Sequence, residues 1–481
     1  MFKKKHSTNK YSVECFLFFR LIIINFMNFK TIFIILAIVL FQYNFSFAQI
    51  KKAQNWYFGK EAGLSFKTSP PTVLTDGKTS CNSMRLTMSD DNGNLLFYSE
   101  CEGLTYNRNH QLMMGCTIPI PIQFQYNLGL LACIPQPNNN YVYYIFGVEG
   151  GNYYINHRIV CYIIDMRLDN GLGAIVNPGG TIFSFNYFFS PHITAMGHAN
   201  GTEYWLIVPG GIDSNSIYSF KINSSGLDTI PIISTKLKNS SLTPKFSSKG
   251  NKFAIYGDGL IVYHFDRSTG LISSPTIIHN IKSGNEIAFS RNEEILYFGL
   301  PDSCLYQYNF STQQSVKIQN NIELGLQMAI DGKIYFTQFP GGGSDAFTWG
   351  HQYLGAINKP DLIYPACEIQ DSVIYLQGKI GFGYLPAFVE SFMQPPDMEN
   401  FGTCEGDNTH FWFTDTTLIQ SISWSFGDSH SSTAVEPYHT YATQGTYSVL
   451  CTILTKQGET LHYNKDVKIF PPTKKLIIKH E

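Results

Sequence analysis

The sequence predicts an all-β protein in two unequal parts, and three observations predict it. Charged residues are only 15% and aromatics 15% of the 481 residues, with 40 glycines and 22 prolines. That balance suits a turn-rich extracellular β protein better than a helical or disordered one. Across residues 49–394 a loose unit recurs, a turn rich in Asn, Asp and Gly followed by an aromatic-aliphatic strand. Beyond residue 403 the chain changes to long polar/apolar alternation, the pattern of half-buried strands.

The recurring unit begins at Ser89, Pro137, His198, Phe246, Phe289 and Met328, at spacings of about 40 to 60 residues. In several copies a further strand follows, as in Ile217–Ile222, Ile261–Phe265 and Leu305–Tyr308. That is the period of a β-propeller blade, a small sheet that cannot bury its faces alone and so stacks with its neighbours around an axis. A seventh blade is expected from Asn55–Gly59 and Gly63–Phe66, with Ile380–Phe388 returning to share it and lock the ring. Seven blades are the reading adopted, with six or eight left open; two packed sandwiches fit the repeat less well.

The C-terminal part reads as a sandwich. Ser421–Phe426 puts Ile422, Trp424 and Phe426 on one face, and Gly427-Asp428-Ser429 supplies a tight turn. Gly445–Leu454 alternates again, with Tyr447, Val449, Cys451 and Ile453 on one side, and Leu461–Phe470 reads as the last strand. The blocks Trp424-Ser425-Phe426-Gly427-Asp428-Ser429, Pro437-Tyr438-His439-Thr440-Tyr441 and Gly445-Thr446-Tyr447, in this order, resemble a PKD domain. The resemblance implies an immunoglobulin-like β-sandwich over 403–472, following a linker at 395–402 and followed by a tail at 473–481. It gives Trp424, Phe426, Gly427, Asp428, Pro437, Tyr441, Gly445 and Tyr447 structural roles, and it implies a spacer or binding module rather than a catalyst.

Residues 1–48 read as a leader whose true start is Met27. Asn28-Phe29-Lys30 gives a positive start, Ile32–Phe41 an apolar core too short for a comfortable membrane span, and Ser46-Phe47-Ala48 a small-x-small cleavage site. The rival is an uncleaved anchor over 16–47, interrupted by Arg20, Asn25 and Lys30. About 430 residues follow the leader, more than one compact domain usually holds, and no membrane span is expected among them. The net charge of −2 argues against a general nucleic-acid or anionic-membrane partner.

Ten cysteines, one of them Cys15 in the leader, leave an odd number after export. Cys81 and Cys101 are the best candidate disulfide, because they flank the hairpin signal Asp90-Asp91-Asn92-Gly93-Asn94 at similar distances. Cys116 with Cys133 and Cys404 with Cys451 are weaker pairings, and buried thiols remain an alternative for all six.

Asn55-Trp56-Tyr57-Phe58-Gly59, Asn92–Tyr98, Tyr106–Gln111 and Tyr384-Leu385-Pro386-Ala387-Phe388 resemble large exported proteins of Bacteroidetes-type bacteria. Those carry a propeller-like region, PKD repeats and a C-terminal sorting domain read by the type IX secretion system. The resemblance implies delivery to the cell surface or medium. Because only 11 residues follow Phe470, too few for the sorting domain, a periplasmic end-point is the other expectation. Asp228-Thr229-Ile230 and Asp371-Ser372-Val373 look like the O-glycosylation sites of such bacteria.

Catalytic patterns are missing. There is no His-Glu-x-x-His helix, no Gly-x-Ser-x-Gly elbow and no phosphate-cradling loop, and Gly341-Gly342-Gly343 has no strand-to-helix context. Asp90–Asn94 superficially resembles a calcium loop but has Cys101 where the bidentate glutamate belongs. Asp428 reads as a turn former, since no second carboxylate flanks it. His110, His157, His192, His198, His264 and His351 are scattered, and surface strand ends are the expected place for them. No catalytic residue, metal ligand or cofactor is assigned. The function expected is an exported, non-enzymatic binding or adhesion protein whose propeller loops take a glycan or protein, the PKD-like domain acting as spacer or interaction module. The alternative is a propeller enzyme acting on an extracellular polysaccharide, which requires an open axial pocket with converging carboxylates or histidines. A periplasmic scaffold for the secretion machinery is a minor third reading.

Overall fold

The computed structural model describes residues 51–80, 86–99, 104–116, 132–149, 158–178, 180–184, 192–210, 216–235, 242–257, 259–280, 284, 286–300, 304–320, 322–338, 351–381, 383–394, 398–413, 416, 419–455 and 460–471. Cys81, Cys101, His157, Gly341–Gly343 and the whole of the expected leader and tail fall outside them.

Among the described residues, seven antiparallel sheets succeed one another before residue 380, and they are the blades of a β-propeller. The first is Asn55–Phe58, Ala62–Ser65 and Thr72–Leu74; the second is Leu86–Ser89, Leu95–Ser99 and Thr105–Asn107. The remaining five open with Ala132–Pro135, Thr194–Gly197, Leu242–Phe246, Ile287–Phe289 and Ile322–Met328. From the first blade to the seventh, each opening strand packs against the opening strand of the next, so these strands surround the axis. They are short and buried, as in Leu86–Ser89 and Thr194–Gly197, because they are covered on both sides.

The six recurring turns are the connections between the first and second strands of blades two to seven. Their polar residues hold the bend from within. Asp90 Oδ1 accepts the Asn92 and Asn94 N–H groups at 2.8 Å each, and Gly93 has φ +80°. Asn200 Oδ1 accepts the Thr202 and Glu203 N–H groups at 3.1 Å, and Asp331 Oδ1 that of Lys333 at 3.2 Å. These are Asx turns, in which a short side chain replaces a backbone partner. The Asp90 carboxylate, weighed above as part of a calcium loop, is thus occupied by its own turn.

The ring closes through Ile380 and Gly381, but not by the expected shared strand. Ile380 makes an isolated bridge to Lys60 of the first blade, and Gly381 one to His351 beside the last. A Cβ at Gly59, whose φ is +59°, would stand 1.9 Å from the Ile380 carbonyl, so glycine is what lets the two ends meet. Trp56 of the first blade packs edge-on against Tyr335 of the last, with ring centroids 6.0 Å apart. After Gly381 the chain leaves the sheets. Pro386 cannot donate to a ladder, and the apolar side chains around it turn inward instead of extending blade one.

Among the described residues the C-terminal part has seven strands in two sheets. One contains Met398–Phe401, Asn408–Phe413 and Tyr438–Thr440; the other contains Ser431–Ser432, Ile419–Ser425, Gly445–Thr455 and Thr460–Ile469. Met398–Phe401 pairs with Asn408–Phe413, so part of the 395–402 stretch read as linker is a strand. Phe411, Phe413, Ile422, Trp424, Phe426, Tyr441, Val449, Cys451 and Ile453 form the core between the sheets.

Two of the weaker cysteine pairings are overturned. Cys133 and Cys451 are thiols buried within the fold, and burial pushes the Cys451 thiol up to about 12. Cys451 faces the sandwich core opposite Trp424 in the strand register, while Cys404 bridges the backbone of Phe470 at the sandwich end. The Cys81–Cys101 pairing lies outside the described residues.

Candidate functional site

Three places concentrate side chains that could bind or react. The first is the propeller axis. Residues 383–393 run into it and fill it. Phe388 packs against Trp56 with centroids 6.1 Å apart, and Phe392 lies edge-on to Tyr204 at 6.5 Å. Ala387 bridges Leu86, and Thr337 donates its hydroxyl to the Gly383 carbonyl at 2.9 Å. Leu385, Phe388, Val389, Phe392 and Met393 are buried. This plug touches the first, second, fourth and last blades, so an apolar segment of the chain itself occupies the centre.

Beneath the plug a charged cluster is enclosed. Lys245 Nζ lies 2.7 Å from Glu390 Oε1 and donates to Gln327 Oε1 at 2.7 Å, and both charged side chains are at most 10% exposed. Gln327 passes its own N–H to the Met328 carbonyl at 3.0 Å. Glu286 and Tyr384 complete the lining of the cavity, with Thr194 and Pro244. Burial raises the Glu286 carboxyl to about 7, against the pull of Lys245, and burial likewise raises Glu390. The space open to the centre of a water molecule is about 30 Å³, enough for a water or two and far less than a sugar ring needs.

None of these residues stands out in the sequence. Lys245, Glu286, Gln327 and Glu390 come from three different blades and the plug. The available signal is a charge in an otherwise apolar innermost stretch, as in Thr243-Pro244-Lys245-Phe246 and Phe388-Val389-Glu390-Ser391-Phe392. The scattered histidines do not gather here. His110 is 3.1 Å from Asp76, His198 belongs to a turn, His264 is exposed and His351 is at the ring closure. His192 is buried, and burial pushes it down to about 4.

The second place is the outer face of the three-stranded sheet of the sandwich. Alternation turns Thr409, Phe411 and Phe413 inward and leaves His410 and Trp412 outward. The register places Phe401 and Tyr438 on either side of His410. His410 stacks on Tyr438 at 4.3 Å and 13°, and on Trp412 at 4.9 Å and 26°. Phe401 is 55% and Tyr438 66% exposed, so a row of aromatic faces meets solvent. Glu436, 3.8 Å from His410, and Glu399, 3.5 Å from Lys465, add polar groups at its margins.

The third place is the turn after Phe426. Gly427 has φ +81°, and a Cβ there would meet the Ser448 carbonyl at 2.8 Å. Asp428 Oδ1 accepts the His430 N–H at 3.2 Å, and Asp428 Oδ2 lies 2.7 Å from His439 Nε2. Burial works against the Asp428 carboxylate, but these partners outweigh it and the carboxyl sits below its ordinary value. The other residues of the terminal signature surround this turn. Trp424 donates its indole N–H to the Ala434 carbonyl at 2.9 Å, and Tyr441 donates its hydroxyl to the Phe426 carbonyl at 3.0 Å. Tyr447 lies against Tyr441 with ring centroids 4.2 Å apart and donates to the Thr443 carbonyl at 2.8 Å. Buried Pro437 accepts the Phe411 N–H at 2.9 Å, and Gly445 pairs with Ile469 at the start of the long hairpin.

Comparison with curated proteins finds no match. Among solved structures, the PKD1 domain of Vibrio anguillarum Epp is 21% identical over 16% of this chain and 94% of its own, with a TM-score of 0.15. The PKD1 domain of the Vibrio cholerae metalloprotease PrtV is 27% identical over 15% and 93%, with a TM-score of 0.14. A candidate 6-phosphogluconolactonase of Bacteroides fragilis is 10% identical over 69% and 96%, with a TM-score of 0.42. The model of the PKD domain family matches residues 398–469; with the sheets described above, the chain is an all-β protein with a β-propeller followed by an immunoglobulin-like PKD domain.

Proposed function

We propose that this chain is an exported, non-enzymatic binding protein whose ligand is a glycan, held on the aromatic row Phe401, His410, Trp412 and Tyr438. That row is the observation that carries the reading. The C–H faces of a sugar ring carry partial positive charge and suit the negative faces of aromatic rings, while the carboxylates at the margin can accept hydroxyl hydrogens. Exposed aromatic groups aligned on a rigid sheet also lose little freedom on binding. PKD domains are typical of extracellular proteins, and among the described residues no helix is long and apolar enough to cross a membrane. Export through the leader starting at Met27, to the surface, the medium or the periplasm, belongs to the same proposal.

The enzyme reading draws on two enclosed carboxylates, Glu286 and Glu390, both raised by burial. Against it stand the plug and the size of the cavity. The test is a glycan array probed with the leaderless chain and with Tyr438→Ala. The expected outcome is retention of a restricted glycan set by the parent and at least tenfold weaker binding by the variant, with no glycan hydrolysed. Absence of any bound glycan, or binding undiminished in Tyr438→Ala, would overturn the assignment.

A further inference from the structure

We propose that Asp428, His430 and His439 form a binding site for a divalent transition-metal ion, with Zn²⁺ the appropriate probe. Asp428, His430 and His439 each offer one ligand atom, a carboxylate oxygen and two ring nitrogens, and these three atoms lie within 4.8 Å of one another. Two imidazoles and one carboxylate are the borderline donors that zinc and its first-row neighbours prefer over calcium or magnesium.

The spacing is close to what coordination needs. Donors about 2.0 to 2.1 Å from a tetrahedral ion stand roughly 3.3 Å from each other. Asp428 Oδ1 and His430 Nδ1 are already 3.3 Å apart, and Asp428 Oδ2 and His439 Nε2, now in hydrogen-bond contact at 2.7 Å, need only to separate slightly. The two inner ligands are held in place. The His439 ring stacks on Phe426 at 4.3 Å and 5°, and lies against the edge of Tyr441 at 4.6 Å and 85°. His439 and Asp428 are 11% and 18% exposed. His430 is 72% exposed and can adjust at little cost. The arrangement is therefore two fixed ligands and one that closes over the ion from solvent, with at least one position left for water or a ligand atom from outside.

Metal binding changes the proton arrangement in a defined way. In the metal-free form His439 Nε2–H donates to Asp428. To coordinate, that nitrogen must present its lone pair, so the imidazole carries its proton on Nδ1, and both histidines must be neutral.

The distinguishing residue is His430. The turn itself needs Asp428, and His439 belongs to the packing, but the His430 side chain is mostly exposed, and beyond the backbone N–H and carbonyl of that residue it adds only a contact with Asp428 Oδ1 at 3.3 Å. Isothermal titration of the leaderless full chain with ZnCl2 at neutral pH should show a site that His430→Ala weakens at least tenfold. The metal-free melting temperature of the variant should be unchanged, while the Zn²⁺-induced rise in melting temperature seen for the parent should disappear. Lack of Zn²⁺ binding by the parent, or equal affinity in His430→Ala, overturns the proposal. His430→Asp restores a donor at the same position and should recover most of the affinity; if it binds no better than His430→Ala, direct coordination by residue 430 is excluded.

Discussion

The propeller axis and the turn of the sandwich both bring ionisable groups together from distant parts of the chain, yet they stabilise them in opposite ways. At the axis, Glu390 and Lys245 are 5% and 10% exposed and must supply each other's counter-charge. At the turn, Asp428 is partly solvated and His430 mostly so, and imidazole rings with a backbone N–H group suffice as partners. Enclosed charges are committed to their partners, because leaving one alone in a low-dielectric interior is costly. Charges at a rim keep bonding capacity to spare. The axial cluster thus belongs to architecture, while the rim cluster and the aromatic row on the neighbouring sheet face can receive something from outside.

The largest expected effect tests the first half of that contrast. Lys245→Ala removes the cation shared by Glu390 and Gln327 and leaves the carboxylate enclosed. A loss of about 3–5 kcal/mol in propeller stability is expected at neutral pH, read by urea unfolding. Lys245→Met combined with Glu390→Leu should recover most of it, since an apolar pair needs no counter-charge. A loss below 1 kcal/mol for Lys245→Ala would show that water reaches the cluster, and the axis would have to be regarded as open.

A somewhat smaller effect concerns pH. The Glu286 carboxyl titrates near 7 in the folded protein and near its ordinary value of 4.5 in the unfolded chain. Between these values the folded state holds more protons than the unfolded state, so stability falls as pH rises. The contribution is fully present below pH 4.5, is lost through pH 7, and amounts to at most about 3 kcal/mol. Glu286→Gln should flatten this part of the curve in a pH series of urea melts. An identical slope in the variant would assign the titration to another group.

Much of the architecture was legible because it rests on local chemistry. Each polar turn such as Asp90–Asn94 caps itself with its own side chain, so the six copies can be read one at a time. Trp424, Phe426 and Val449 alternate along single strands and declare the sandwich core. The plug was not legible, because Tyr384–Phe388 reads as a strand until one knows that the centre of the ring needs filling. The axial cluster depends on Lys245, Gln327 and Glu390 meeting across 145 residues of sequence, for which no local pattern exists. Asp428 with His439 failed differently. No second carboxylate flanks Asp428 along the chain, and its imidazole partner arrives 11 residues later on a strand of the opposite sheet.

The smallest expected effect asks whether the two regions are separate in energy as well as in charge. Two buried tyrosines make matched contacts: Tyr441 donates to the Phe426 carbonyl at 3.0 Å, and Tyr256 donates to the Gly299 carbonyl at 2.7 Å. Replacing either with Phe keeps the ring and removes one hydrogen bond, a loss of about 1 kcal/mol, somewhat more if the carbonyl stays dry. Among the described residues, the buried core of the sandwich contains none before Met398, and the buried clusters of the propeller contain none after Met393. Cores that share no members give no reason for joint unfolding. Tyr441→Phe should therefore move only a sandwich transition, and Tyr256→Phe only a propeller transition, when fluorescence and calorimetry are followed together. If both substitutions shift one common transition by similar amounts, the two regions unfold as a single cooperative unit. The rim of the sandwich would then be coupled to the axis rather than independent of it.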